Sequence, residues 1–124
     1  MQISDAELEV MKVLWARPGI SATDVHDHLG KHMNGHKDWS VRTVKTLLSR
    51  LVEKGALSTE EDGRRYLYTP TIEQEDYKSG AVRQFVDRVF SGRAAPLIAH
   101  LADAKDLTEA DIEELEKLLG ELKK

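Results

Sequence analysis

The segment from Val41 to Lys54 constrains the fold more than any other part of the chain. Residues of an α-helix turn by about 100° each, and at that spacing the apolar residues of this segment share one face. They are Val41, Val44, Leu47, Leu48 and Leu51. Ser40 suits the N-cap of such a helix, and Gly55 suits the position just after its end. The segment therefore predicts a helix that packs by one face and leaves the other in solvent.

Two shorter helices are predicted before this segment. Ser4 followed by Glu7 is the signature of a capping box, and the apolar pattern that follows stops before Pro18. Ser21 is suited to cap a second helix, which we expect Gly30 to end.

After Gly55 the pattern changes to that of a β-hairpin. Two strand-like segments, 56–59 and 64–69, flank a turn sequence at 60–63. Three short helices followed by a hairpin, with a third helix that is polar on one side, form the element order of a winged helix-turn-helix. We therefore predict a DNA-binding domain over residues 1–70.

Residues 71–124 predict three further amphipathic helices, at about 73–90, around 94–102, and after a capping pair formed by Thr108 and Asp111. So short a segment cannot bury all these apolar faces, and exposed apolar stripes mark interfaces. The fold class is thus mainly α with a small β-hairpin, and residues 71–124 form a three-helix dimerisation module. The alternative is a compact bundle packed on the first domain. The candidate dimer contacts are Phe85, Val89, Leu97, Ile98, Leu101, Ile112, Leu115 and Leu119.

The polar side of the third helix holds the main candidate DNA contacts. Arginine and lysine neutralise phosphates or donate to guanine, while threonine and serine reach phosphate oxygens and base edges. The candidates are Arg42, Thr43, Lys45, Thr46, Ser49 and Arg50. The alternative is an ordinary solvated helix face.

Three residues outside this helix are further candidates. Arg64 and Arg65 follow the turn of the hairpin and suit the DNA backbone or minor groove, unless they only balance the acidic residues beside them. Ser21 stands at a helix N-terminus, where phosphate binds well, although a capping role alone also explains it.

Charge is distributed unevenly along the chain. The net charge is −4, which is unusual for a DNA-binding protein, but residues 103–124 hold eight acidic residues against four lysines. The third helix carries Arg42, Lys45, Arg50 and Lys54 against Glu53 alone. A local positive face is therefore compatible with an acidic total.

The same sequence argues against several other classes of function. It has no cysteine, no catalytic triad pattern and no glycine-rich phosphate loop, so we expect neither an enzyme nor a cofactor. No signal peptide or membrane span is apparent, and we expect a cytoplasmic protein. His28 and His32 have the spacing of metal ligands, but His26, His28, His32 and His36 are better read as exposed connector residues. Trp15 and Trp39 are interpreted as core residues.

Five segments resemble the BlaI/MecI/CopY penicillinase-repressor family. They are AELEVMKVLW (Ala6 to Trp15), SATDV (Ser21 to Val25), KDWSVRTVKTLLSRLVEKG (Lys37 to Gly55), YLYTP (Tyr66 to Pro70) and DLTEADIEELEKLL (Asp106 to Leu119). The resemblance implies a homodimeric repressor on an inverted-repeat DNA operator, dimerised through its C-terminal helices. It also implies DNA contacts at Arg42, Thr43, Lys45, Thr46 and Arg50.

Family members differ in what relieves repression. The copper-responsive branch uses C-terminal cysteines, which this chain lacks. In the β-lactam branch a membrane sensor protease triggers cleavage in the dimerisation module, at a bond that aligns near His100-Leu101. The usual Asn-Phe pair is His-Leu here, so the resemblance only suggests that cleavage site, that partner and control of a β-lactamase or related stress regulon.

Two rival functions remain at this point. One is a winged helix used as a protein-protein interaction module, for which an acidic tail is natural. The other is a ligand-responsive regulator of the MarR type, which needs a small-molecule pocket. DNA binding with a salt dependence set by the third helix separates the first rival from a repressor, and titration with inducers tests the second.

Overall fold

Six helices and one two-stranded antiparallel hairpin are present in the computed structural model, which describes residues 2–32 and 38–123. The elements are α1 (Asp5–Ala16), α2 (Ala22–His32), α3 (Val41–Glu53), β1 (Leu57–Asp62), β2 (Arg65–Pro70), α4 (Gln74–Val89), α5 (Ala94–Asp103) and α6 (Glu109–Leu122). The predicted fold class, mainly helical with a small hairpin, is confirmed.

The chain divides into two compact units, residues 1–77 and 78–124. The division falls within α4, which begins in the first unit and continues in the second. The predicted boundary near residue 70 between a DNA-binding domain and a dimerisation domain stays a prediction.

Local capping explains where α1 and α3 begin. The amide of Glu7 donates to Ser4 Oγ at 3.2 Å, and Ser4 N donates to Glu7 Oε1 at 2.8 Å, which completes the predicted capping box. Ser40 Oγ accepts from the amide of Thr43 at 3.1 Å, as expected of an N-cap. Gly55 follows α3 with φ +84°, a left-handed conformation that favours glycine.

The prediction that Gly30 ends α2 is wrong, because the helix continues to His32. A glycine ends a helix when it adopts a positive φ, and Gly30 is not among the glycines that do. Inside a helix a glycine costs only about 1 kcal/mol relative to alanine, which neighbouring contacts can offset. Burial of Val25 and Leu29 on α2 supplies such contacts.

One apolar core holds α1, α2, α3 and the start of β1 together. It is formed by the faces that the helical periodicity singled out, and Trp15 and Trp39 pack against it half-buried. The indole N–H of Trp15 donates to the carbonyl of Ile72 at 2.9 Å. Both tryptophans are therefore packing residues of this unit. The fully buried side chains include Val10, Met11, Leu14, Val25, Leu29, Val44, Leu48 and Leu51.

The hairpin is longer than predicted and its turn lies elsewhere. The pairing runs from Leu57 opposite Pro70 to Asp62 opposite Arg65, so the acidic segment at 60–62 belongs to β1. The connection consists of Gly63 and Arg64, and Gly63 has φ +65°, the conformation that the first position of a type II′ turn requires. The prediction of a turn at 60–63 is therefore wrong.

A third backbone segment joins this sheet, and the sequence had not indicated it. Ile20 forms an antiparallel bridge with Tyr68. Gly19 N donates to Tyr68 O at 2.8 Å, and Tyr68 N donates to Ile20 O at 2.9 Å. The segment between α1 and α2 thereby attaches the hairpin to the helices.

The second unit has well-defined helix ends but little burial. Ser91 and Gly92 stop α4 with φ values of 53° and 81°. Thr108 and Asp111 cap α6 reciprocally, with both hydrogen bonds at 3.1 Å. In this single copy of the chain no residue of α4, α5 or α6 is buried. No helix within the described ranges is both long and apolar enough to cross a membrane.

Candidate nucleic-acid interface

The solvent side of α3 displays all six side chains that the sequence singled out on this helix. The opposite side is buried through Val44, Leu47, Leu48 and Leu51. Four polar side chains and Val41 line an open groove on the exposed side. The exposed set is Arg42, Thr43, Lys45, Thr46, Ser49 and Arg50. Their contact with DNA stays a prediction, but each is available for it.

Three basic side chains on this face are available to bind DNA. Arg42, Lys45 and Arg50 form no ion pair with any residue in the described part of the chain. They lie within about two and a half turns of helix and within about 140° of helical rotation, so their positive charges lie on the same side. Such an arrangement attracts phosphates and leaves guanidinium groups available for guanine.

The two threonines of the face are partly engaged by the helix itself. Thr43 Oγ1 lies 3.1 Å from the capping Ser40 Oγ. Thr46 Oγ1 donates to the carbonyl of Arg42 at 3.1 Å. Because this bond uses the hydroxyl proton of Thr46, its side chain can offer DNA an acceptor oxygen and a methyl group.

Lys54 does not belong to the positive face, and counting it there was wrong. Its Nζ lies 2.5 Å from Glu7 Oε1 and 2.7 Å from the carbonyl of Gln2. Lys54 stands seven residues after the buried Leu47, close to two full turns of helix, so its side chain starts on the packed side. The helical spacing of Lys54 from Leu47 is a signal of this placement that is present in the sequence.

The two arginines of the hairpin differ in their surroundings. Nε and Nη2 of Arg65 donate to Asp62 Oδ2 at 3.1 and 3.0 Å, so its guanidinium is held along the strand. Arg64 is exposed in the two-residue turn, and no described residue pairs with it. Arg64 is therefore the better placed of the two for a phosphate.

Ser21 is buried, with 5% of its surface exposed. Its Oγ accepts from the amide of Asp24 at 3.3 Å, and its own amide donates to Asp24 Oδ2 at 3.4 Å. A carboxylate therefore already occupies this helix N-terminus. The geometry favours the capping role, and a phosphate contact at Ser21 stays a prediction.

His26 contacts the backbone just before α3. Its Nε2 lies 2.6 Å from the carbonyl of Trp39, and its Nδ1 lies 4.0 Å from Asp27 Oδ1. The side chain of His32 and all of His36 lie outside the described residues, so the His28–His32 spacing is untested. Among residues that the structure describes, no three histidine, aspartate or glutamate side chains are grouped as metal ligands are.

The candidate dimer contacts lie in the second unit, on helices that expose much of their apolar surface. Phe85 and Phe90 have ring centroids 5.8 Å apart, and Phe90 meets His100 edge-on at 6.5 Å. Leu97, Leu101 and Leu115 are half-buried. The exposed candidates are Phe85 (41%), Val89 (51%), Ile98 (38%), Ile112 (43%) and Leu119 (55%).

Comparison with known proteins decides the family. The family model described as penicillinase repressor matches residues 3–121. The chain belongs to the penicillinase repressor family. It is 38% identical to the penicillinase repressor of Bacillus licheniformis, across 98% of this chain and 92% of that protein. It is 31% identical to the methicillin resistance regulatory protein MecI of Staphylococcus aureus strain N315, across 96% and 94%.

A solved structure supports the same assignment. The DNA-binding domain of the repressor BlaI matches with a TM-score of 0.52 and 47% identity, over 61% of this chain and 88% of that domain. The resemblance seen in the sequence is thus confirmed, together with the winged-helix architecture. This family member is a DNA-binding transcriptional repressor.

Proposed function

We propose that this repressor acts as a homodimer on an inverted-repeat operator and reads each half-site with α3. The observation that carries the proposal is the division of α3 into a buried apolar side and an exposed side with three cations that pair with no described residue. Winged helices of this order place the third helix in the major groove, and a dimer repeats the contact one helical turn or a multiple away. Repression follows when the dimer occupies a promoter, and the proposal implies a cytoplasmic location.

Each part of the interface has a distinct proposed role. Arg42, Lys45 and Arg50 neutralise phosphates or donate to guanine, and the hydroxyls of Thr43 and Ser49 contact phosphates and base edges. Thr46 offers base edges an acceptor oxygen and a methyl group. Arg64 at the tip of the hairpin adds a backbone contact beside the groove.

Replacement of Arg42 or Lys45 by alanine tests the reading role of α3. Each lost phosphate contact reduces the slope of log K against log salt by about 0.9 per protomer, and a lost base contact costs about 1–3 kcal/mol. We expect weaker operator binding by fluorescence anisotropy, with the dimer intact. Lys12→Ala is the matched control, since Lys12 is exposed on α1 and contacts Glu9 at 3.3 Å. Unchanged binding in both α3 variants would show that α3 does not read DNA.

The regulated genes are proposed from the relatives. A penicillinase repressor and a methicillin resistance regulatory protein support control of a β-lactamase or a related stress regulon. Genome-wide mapping of bound DNA tests this proposal, and operators found only upstream of unrelated genes would refute it.

Relief of repression by proteolysis is the remaining part of the proposal. A membrane sensor protease would trigger cleavage at His100-Leu101, a bond that lies inside α5 (Ala94–Asp103). A protease requires an extended substrate, so α5 has to open locally before the bond is cut. Mass spectrometry of the chain from β-lactam-treated cells should then detect the fragment that begins at Leu101. A chain that stays intact while its genes are induced would contradict the proposal.

A further inference from the structure

A buried carboxylate connects the first turn of α1 with the end of α3. Glu7 is only 2% exposed. Its Oε1 accepts from Lys54 Nζ at 2.5 Å and from the amide of Ser4 at 2.8 Å. The same ammonium donates to the carbonyl of Gln2 at 2.7 Å. A single side chain at the end of α3 thus contacts two separate groups at the N-terminal end of the chain.

The pair lies at the C-terminal end of α3. Leu47, Leu48 and Leu51 bury one side of the helix as far as its last turn, and Lys54 is its C-cap. Apolar contacts are non-directional, so they restrict the orientation of the last turn less sharply than a hydrogen bond does. A charge-assisted hydrogen bond depends on distance and angle, and this one ends on a carboxylate that the capping box of α1 already orients.

We propose that the Glu7–Lys54 ion pair positions α3 for DNA by fixing its last turn to the first turn of α1. The inference rests on the proposed reading role of α3. Arg50 belongs to that last turn and Ser49 directly precedes it. Polar recognition requires donors placed to within about 0.5 Å. Lys54 is therefore a positioning residue: it acts through Glu7 and supplies no phosphate contact of its own.

The test compares two lysines of α3 in the full-length chain. The probe is a duplex of about 30 base pairs carrying the inverted repeat that the wild-type chain enriches from a random-sequence library. We expect Lys54→Met to weaken binding about fivefold. The slope of log K against log salt should not change, because no phosphate contact is lost. In the matched control Lys45→Met, binding weakens and the slope falls by about 0.9 per protomer.

The second arm asks whether Glu7 and Lys54 act as one unit. We expect Glu7→Gln to weaken binding by a similar factor, and the double variant Glu7→Gln/Lys54→Met to bind no worse than Lys54→Met alone. Lys54→Arg retains a cation that can donate to Glu7, and it should recover most of the affinity. Circular dichroism establishes that each variant is folded at the assay temperature.

A stability loss does not obscure the result. Lys54→Met leaves a buried carboxylate without its cation, which lowers the free energy of unfolding. The double variant removes both charges and avoids this loss. Should Lys54→Met unfold, the double variant carries the same expectation of weaker binding with an unchanged salt slope.

Three results would overturn the inference: unchanged affinity in the folded variants, a slope reduced by about 0.9 per protomer in Lys54→Met, or additive losses in the double variant. If Lys45→Met also binds normally, the reading role of α3 fails instead. The two proposals therefore fail in different measurements.

Discussion

At the scale of single residues, the partner of each cation matters more than its position in the sequence. Arg64 and Arg65 are neighbours of the same chemical type, yet only Arg65 is held by Asp62. Lys54 and Lys45 belong to one helical segment and are both exposed, yet only Lys54 is paired with the buried Glu7. The sequence offered no means of separating the members of these pairs by charge alone.

This difference predicts unequal effects in the hairpin. We expect Arg64→Ala to weaken operator binding and to reduce the salt slope by about 0.9 per protomer, because an arginine that pairs with no described residue is available to a phosphate. Arg65→Ala should have a smaller effect on both quantities, since its guanidinium is engaged with Asp62. Binding isotherms at several salt concentrations measure both. A larger loss in Arg65→Ala would reverse the assignment.

At the scale of elements, local chemistry was a good guide to helices and a weaker guide to where they end. Capping boxes at Ser4 and Thr108 and the left-handed Gly55 lie where expected, since each depends on residues within one turn. Gly30 and the hairpin turn were misjudged. At Gly30 the packing of α2 overrode local preference, and in the hairpin the pairing of β1 with β2 set the position of the turn.

The contact between α1 and α3 predicts a dependence of stability on pH. Burial raises the pKa of Glu7, but hydrogen bonds from Lys54 and Ser4 and the charge of Lys54 more than offset it, so the pKa lies below its usual 4.5. A lowered pKa means that the stabilisation is present above about pH 4.5 and is lost as the pH falls through the folded-state value. We therefore expect the free energy of unfolding to decline in that acid range.

Urea unfolding between pH 7 and pH 3 measures this effect. The decline should be shallower in Glu7→Gln than in the wild type, because the variant has no carboxylate to protonate at this position. Glu113→Gln is the control, since Glu113 is exposed on α6. An equal decline in the wild type and in Glu7→Gln would mean that the pair contributes nothing to acid sensitivity.

At the scale of the whole molecule, the two units differ in how much of their apolar surface is buried. The first unit buries it in a core, whereas the second leaves large side chains such as Leu118 (54% exposed) and Leu122 (81% exposed) in solvent. Exposed apolar surface on this scale is typical of an interface. We propose that a second copy of the chain buries this apolar surface in a dimer.

The dimer proposal predicts that a charge on α6 separates the protomers. We expect Leu119→Asp to weaken dimerisation more than about thirtyfold, because an unpaired carboxylate in an apolar interface costs at least about 2 kcal/mol. Analytical ultracentrifugation measures this loss, and operator affinity should fall with it. Ala110→Asp is the matched control, as it adds the same charge to an exposed position on another side of α6. A dimer that tolerates Leu119→Asp would place the interface elsewhere.

The sequence by itself determined the order of elements, the buried side of α3 and the family. Each depends on periodicity or on residues close together in the chain, and such signals can be read from the sequence alone. Only the tertiary structure decided that Lys54 pairs with Glu7, that Ile20 joins the hairpin, and that Arg65 is held while Arg64 is not. The first two join groups far apart in sequence, and the third depends on the hairpin register. Such contacts form only when packing brings their partners within hydrogen-bonding distance.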